Sequence, residues 1–226
     1  MSFDAEAVET LTFDSYSTIV DVASAAEALA PYVDAPERAA DHWRAHSLMY
    51  TMVANATDEY EQFYDLNRHA ATAALDRFGA SVDQRTLEEI ASVYHDLHVF
   101  DDVRGGMERL AAEYELYVVS NGDPAMLESM VEAAEIAPLI ADTISADEIE
   151  TFKPAAAIYE HAADRTGTGL ESIAHVSAAW FDIHGASAAG MQTCWVDRTD
   201  SPFISYGPRP DLTVEDFGAL AASLDC

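Results

Sequence analysis

Short apolar runs that close on a polar residue recur along the chain. "VETLTFD" (8–14) reads as a strand ending on Asp14. "ELYVVSNG" (115–122) reads as a buried strand ending at Ser120, followed by a turn at Asn121-Gly122. "SIAHVSA" (172–178) and "MQTCWVD" (191–197) repeat the pattern, and "LIADTISADEI" (139–149) is expected to hold one more short strand. Helical stretches separate these runs. Residues 124–134 follow "NGDP" with Pro124 near the first helical position, 154–165 follow "FKP", and 182–189 end at Gly190. Strands alternating with helices of this length predict an α/β fold whose parallel sheet is covered on both faces. Open sheets of that kind bind ligands at the carboxyl ends of their strands. Asp14, Ser120 and Ser177 all hold such ends.

Residues 22–99 show no strand pattern. "SAAEALAPYV", "APERAADHWRAHSLMYTMVANA", "DEYEQFYDLNRHAATAALDRFG" and "DQRTLEEIASVYHDL" each read as helical. They form a helical insertion between the first strand and the rest of the sheet. The expected division is a core of 1–21 and 100–226 with a cap of 22–99 that roofs the site and excludes water. "DRTDSPFISYGPRPD" (197–211) reads as a Pro/Gly-rich loop before a closing helix.

Composition changes this picture in one respect. The chain has 226 residues, half of them apolar, which suffices for a sizeable core. Its 41 acidic against 11 basic residues leave a formal net charge of −30. Such a surface repels itself at low salt, and at about 1 M salt the screening length falls to about 3 Å. The expectation is a folded protein from the very salty cytoplasm of a halophilic organism. No basic patch exists to neutralise phosphates, so nucleic acid and anionic membranes are excluded as partners. No apolar run is long enough to span a bilayer. The opening "MSFDAEAVETLTFD" does not read as a signal peptide, and a cytoplasmic location is expected. Cys194 and Cys226 read as free thiols.

Ten of the basic residues are Arg, and the single lysine is Lys153, in "EIETFKPAAAIYE" (148–160). Where lysine is otherwise avoided, a retained one is expected where its ammonium matters. Asp14 could be a nucleophile, a metal ligand or simply the cap of the next turn. Asp182, at the start of the helix after 172–178, is a second candidate carboxylate. Two neighbouring anions disfavour each other's ionisation unless a cation sits between them. Lys153 between Asp14 and Asp182 would keep Asp14 ionised and nucleophilic.

Four spaced motifs give this constellation a family likeness. "FDSYSTIVD" (13–21), "VVSNG" (118–122), "TFKPAAAIYEHA" (151–162) and "HVSAAWFDIHGASAAG" (175–190) resemble, in order, those of the haloacid dehalogenase superfamily of hydrolases. Within it, the chain is most similar to the type II (S)-2-haloacid dehalogenases. The resemblance implies a Rossmann-like core, a helical cap after the first strand, and Asp14 as nucleophile with Thr18 in support. It implies Ser120 and Asn121 in the second motif, Lys153 and Tyr159 in the third, Ser177 and Asp182 in the fourth. "HWRAHSLMYT" (42–51) resembles the cap segment that bears the substrate arginine, here Arg44. Leu48, Tyr50, Phe63, Phe181 and Tyr16 fall at pocket positions.

The implied chemistry is halide displacement. Phosphatases of the superfamily carry a second Asp where this chain has Tyr16, and a magnesium ligand where it has Ala178. No metal and no cofactor are therefore expected. The implied substrate is a small anionic 2-haloacid, and halide is the leaving product. Asp14 attacks the α-carbon, and water then attacks the Asp14 ester carbonyl, activated or placed by Asp182 with Ser177 and Lys153. Ser120 and Thr18 would bind the substrate's carboxylate or carbonyl oxygens. Arg44 and Asn121 would cradle the halide beside Phe63 and Phe181, or Arg44 would clamp the substrate carboxylate. Tyr159 is expected to hydrogen-bond near the nucleophile. Two positions depart from the family: Ala179 replaces an Asn near the attacking water, and Ser17 replaces a Gly whose backbone freedom is often needed. A homodimer fits the family. Another hydrolase activity of the same fold, a phosphatase, and a weakly active or non-catalytic homologue remain alternatives.

Overall fold

The computed structural model describes residues 3–204 and 206–226. Met1 and Ser2, at the head of the expected core segment, and Ser205, inside the expected 197–211 loop, lie outside the described residues. The chain opens with β1 (Thr10–Phe13) and β2 (Val20–Asp21). It continues through α1 (Ala26–Leu29), α2 (Pro36–Thr57), α3 (Phe63–Arg77) and α4 (Gln84–Ala91), and returns by β3 (His98–Val99). α5 (Val103–Leu110), β4 (Glu115–Ser120), α6 (Pro124–Ala133), β5 (Asp142–Ser145) and α7 (Ala156–Thr166) follow. β6 (Ile173–Ser177), α8 (Trp180–Ala189), β7 (Gln192–Val196), β8 (Leu212–Val214) and α9 (Phe217–Ser223) complete it.

The main sheet runs in the order β5-β4-β1-β6-β7-β8, with every neighbouring pair parallel. β1 and β6 are buried along their whole length and β4 over all but its first residue, which is why these strands read as apolar runs rather than alternating ones. The chain builds β4 and β5 on one side of β1, then crosses over to build β6, β7 and β8 on the other. The sheet therefore changes direction at β1, and the crevice at its carboxyl end is where such sheets bind ligands. Asp14 sits at that point. The predicted α/β core with a helical insertion after the first strand is the observed architecture.

Two features differ from the sequence reading. β8 lies just past the stretch read as a loop before the closing helix; a three-residue strand has too little pattern to stand out. An antiparallel pair, Val20↔Val99 and Asp21↔His98, joins the two ends of the helical insertion, although 22–99 was expected to hold no strand. Two-residue strands carry no readable period, and only the return of the chain to its starting point creates them.

Within the insertion, α2 begins with Pro36 in its first turn and ends at Asp58, which adopts left-handed φ 58°. The stretch "SAAEALAPYV" yields only α1 and a preceding 3₁₀ turn, since Pro31 ends any longer helix. Alanines 39, 40 and 54 of α2 and 70, 71 and 74 of α3 are buried, so the two helices pack closely. Trp43 Nε1 donates to the Asn67 carbonyl at 2.8 Å, tying the pair together. Among the described residues no helix is long and apolar enough to cross a membrane.

Candidate active site

The loop after β1 is held from several directions. Asp14 N–H donates to the Val176 carbonyl of β6 at 2.9 Å, and the Ser15 carbonyl accepts from Ile19 at 2.8 Å. Thr18 Oγ1 donates to Asp14 Oδ2 at 3.0 Å and accepts the Ala178 N–H at 2.9 Å. Arg198 Nη2 donates to the Thr18 carbonyl at 2.8 Å, while its Nη1 reaches Asp102 at 2.6 Å and its guanidinium covers the Phe100 ring at 4.2 Å. Ser17 keeps the positive φ of 74° that a glycine would adopt freely, so the departure leaves the turn intact at a strain of about 1 kcal/mol.

Lys153 closes the constellation. Its N–H donates to Asn121 Oδ1 at 2.8 Å, fixing the backbone against the end of β4. Its ammonium lies 3.1 Å from Asp14 Oδ1 and 2.8 Å from Asp182 Oδ2, and the side chain is 2% exposed. Burial alone would push this lysine down, but the two carboxylates outweigh it and hold the ammonium above its ordinary value. Asp182, in the first turn of α8, is buried. Its Oδ2 also lies 2.9 Å from His175 Nε2, and its Oδ1 accepts the Tyr159 hydroxyl at 2.6 Å. Burial would raise the Asp182 carboxyl, yet His175 and Lys153 reverse this and hold it well below the usual carboxylate range. Burial and Asp182 push the Tyr159 phenol far up, so it stays a donor. Tyr159 therefore bonds to Asp182 rather than to the nucleophile itself.

Above this charge cluster is a small cavity of about 10 Å³, lined by Asp14, Tyr16, Asn121, Lys153 and Phe181 from the core and by Arg44, Leu48 and Phe63 from α2 and α3. It has room for about one water. Arg44 Nη2 stands 3.5 Å from the Tyr16 carbonyl, a long contact. The Tyr16 hydroxyl is buried and has no hydrogen-bond partner. Roomier hollows exist elsewhere, one of about 380 Å³ beside Asp65, His95 and Asp123, but it is not lined by Asp14 or Lys153. Chemistry, not size, locates the site.

Other expected site residues are placed as follows. Ser177 Oγ lies 3.5 Å from Asp14 Oδ2 and accepts the Ala179 N–H at 3.0 Å. Ser120 Oγ pairs with Ser15 Oγ at 2.6 Å and accepts the Gly122 N–H at 2.9 Å, so it is already engaged within the protein and does not line the cavity. Tyr50, expected in the pocket, instead lines an outer groove with Val53 and Thr57, because it stands on the other side of α2 from Arg44 and Leu48. Ala179 heads α8 without a side-chain cap. The sequence reading singled out neither His175 nor Ser15. Both lie inside the quoted motifs, but a histidine within an apolar strand and one serine among several carry no signal of their own.

Magnesium, which relatives of this fold can hold, does not fit the residues present. Lys153 occupies the space between the two carboxylates, Tyr16 and Ala178 offer no further carboxylate, and among the described residues no group of three or more His, Cys, Asp or Glu side chains is arranged for a metal. His95 bonds to Ser129 and His98 faces Glu27, so they do not converge. Both cysteines are free, and Cys194 is buried in the core.

A profile of the family described as haloacid dehalogenase-like hydrolase matches residues 8–190. The chain is 29% identical over 199 residues to (S)-2-haloacid dehalogenase 4A of Burkholderia cepacia, covering 87% of this chain and 86% of that protein. It is 28% identical over 215 residues to haloacetate dehalogenase H-2 of Moraxella sp. (strain B), covering 94% and 96%. The solved structure of an L-2-haloacid dehalogenase from Xanthobacter autotrophicus with chloropropionic acid covalently bound superposes with a TM-score of 0.90 at 25% identity, covering 96% of this chain and 98% of that one.

Proposed function

The chain belongs to the haloacid dehalogenase-like hydrolases, and on that premise we propose that it converts short (S)-2-haloalkanoic acids to (R)-2-hydroxy acids through an ester on Asp14. It is a hydrolase that dehalogenates 2-haloacids with an aspartate; the enantiomer, the residues and their division of labour are our reading. One observation supports that reading above all: a lone buried ammonium spans Asp14 and Asp182 beneath a small, partly apolar cavity.

In the first step an Asp14 oxygen attacks the α-carbon from the side opposite the halogen. The carbon–halogen electron pair leaves as halide, and the configuration inverts. Thr18 and Lys153 hold the attacking carboxylate in place. Halide needs no proton to depart, so the apolar Phe63 and Phe181 and the uncharged Tyr16 suit this wall of the cavity. In the second step water attacks the Asp14 ester carbonyl. The hydroxy acid departs, Asp14 regains its carboxylate, and one proton is released to solvent.

Both Asp182 oxygens accept hydrogen bonds and its carboxyl sits well below the usual range, so it is a poor base for that water. Asp182 instead steadies Lys153. Ser177, beside Asp14, is left to place the water, and with Ala179 apolar the ester is expected to accumulate. Because the Thr18 and Ser120 hydroxyls are engaged within the protein, Arg44 takes a larger share of anion binding than the family likeness implied. It holds the substrate carboxylate, or with Asn121 the departing halide.

Because this cavity has room for about one water, our reading includes a movement of α2 and α3 away from the core when substrate binds. The antiparallel pair β2–β3 is the natural pivot, and it supports dividing the chain into a core of 1–21 and 100–226 and a cap of 22–99. Our reading extends to a homodimer working in a salty cytoplasm, with no nucleic acid among its partners at a net charge of −30. The test is halide release from each enantiomer of 2-chloropropionate in about 1 M salt, where surface repulsion is screened. The S enantiomer should release halide with a rapid burst followed by slower turnover. A single turnover in ¹⁸O-water should place label in Asp14 rather than in the product. Release from neither enantiomer would overturn the proposal.

A further inference from the structure

β6 carries a second polar layer beneath the reacting one. His175 and Ser177 are two residues apart, so their side chains share one face of the sheet, as do those of Thr12 on β1 and Asp14 just beyond its end. Thr12 and His175 are register partners, and Thr12 Oγ1 lies 2.8 Å from His175 Nδ1. Both are fully buried. α8 and α7 pack against this face, and from them Asp182 and Tyr159 meet the imidazole. Nε2 is 2.9 Å from Asp182 Oδ2, and the Tyr159 ring stands edge-on with centroids 5.7 Å apart.

An ionised carboxylate only accepts hydrogen bonds, so Nε2 must carry the proton. Nδ1 then accepts the Thr12 hydroxyl proton when the ring is neutral and donates to Thr12 when it is cationic. Either way Asp182 Oδ2 is shared by two donors, His175 Nε2–H and the Lys153 ammonium. Two carboxylates face one ammonium here, and an unassisted Asp182 would draw that ammonium toward itself and away from Asp14 Oδ1 at 3.1 Å.

We propose that His175 is a positioning residue for the dehalogenation: its Nε2–H holds Asp182 so that Lys153 stays extended between Asp182 and the nucleophile. This rests on the dehalogenase reading for its kinetic consequence, but not for its geometry. A ring that merely filled space on β6 would be replaceable by any ring of similar size, and that sets the experiment.

His175→Phe keeps the aromatic volume and removes the donor, whereas His175→Gln keeps an N–H near the reach of Nε2. The expected result is a fall in kcat of about 10- to 100-fold for the Phe variant, as for other small misplacements of reacting groups. KM should change by less than about threefold, and Gln should recover much of the loss. A Phe variant with unchanged kcat, or Phe and Gln variants that fall alike, would overturn the proposal. A second readout needs no substrate. ¹⁵N NMR of the free protein should show His175 protonated at Nε2, with a changed signal in Asp182→Asn. The only lysine, labelled with ¹⁵N, should report a shifted ammonium in His175→Phe. A bare Nε2, or a Lys153 signal indifferent to His175, would overturn the proposal even if the wild type released no halide. That last outcome by itself would count against the dehalogenase reading alone.

Discussion

Ion pairs in the interior of this protein and ion pairs on its surface both set a cation against a carboxylate, and they have opposite uses. Lys153 is 2% exposed and lies between two carboxylates, whereas Arg85 pairs with Glu89 at 87% exposure along one face of α4. A buried ion loses several kcal/mol of hydration, so it persists only with excellent partners, and removing one partner strands the other. An exposed pair gains little, because water and salt screen it. The surface therefore tolerates a chain with 11 basic against 41 acidic residues and a net charge of −30, while the interior keeps the one lysine. Lysine's single-point ammonium on a flexible stem suits a bridge between two carboxylates, where arginine's wide planar fork would demand a different spacing.

Breaking the buried set should have the largest effect. Asp14→Ala should leave a folded protein and lower halide release at least about 10⁴-fold, with no ester visible by mass spectrometry. Residual turnover near the wild-type rate would remove Asp14 from the reaction. Lys153→Met should lower kcat steeply and, by stranding two carboxylates, cost about 3–5 kcal/mol in denaturant unfolding. A variant as stable as the wild type would mean that Asp14 and Asp182 are not held by the ammonium. The lysine also offers a direct pH test. Its value is raised above the ordinary 10.5, so the stability it contributes is fully present below pH 10.5 and is lost only as pH rises through the higher folded value. A ¹⁵N-lysine spectrum at pH 10.5 should show a predominantly protonated ammonium; a half-titrated one would contradict the geometry.

Manipulating the surface sharpens the contrast by doing less per residue. Raising salt from low concentration to about 1 M should raise Tm by several degrees, because the repulsion of the whole acidic surface is screened. A Tm that falls with added salt would count against adaptation to high salt. Arg85→Ala should shift Tm by under about 2 °C, the smallest effect of the set.

How much of this was legible beforehand varies with the range of the signal. The five strands expected from apolar runs all formed, because a buried parallel strand needs a continuous apolar stretch, and that is a local property. The helices of the insertion were readable for a similar reason, except that "SAAEALAPYV" contains a proline that leaves only α1. β2, β3 and β8 were not readable, since two or three residues have no measurable period and pair only because distant chain returns to meet them. In the site, Asp14, Lys153 and Asp182 stood out as charged residues at strand and helix ends. His175 did not, because a histidine inside an apolar strand looks like packing until the helix carrying Asp182 is laid against it.

By itself, then, the order of residues determined the alternation of strands and helices, the placement of Asp14 at a strand end and the scarcity of cations, all of which depend on neighbours in the chain. Tertiary structure decided the distances at which Lys153 meets Asp14 and Asp182, the further contacts of Asp182 with Tyr159 and His175, and that Tyr50 faces away from the cavity. The reason is physical. Hydrogen bonds and charges inside a protein are set by distances of about 3 Å between residues that the chain brings together only once the sheet has closed around them.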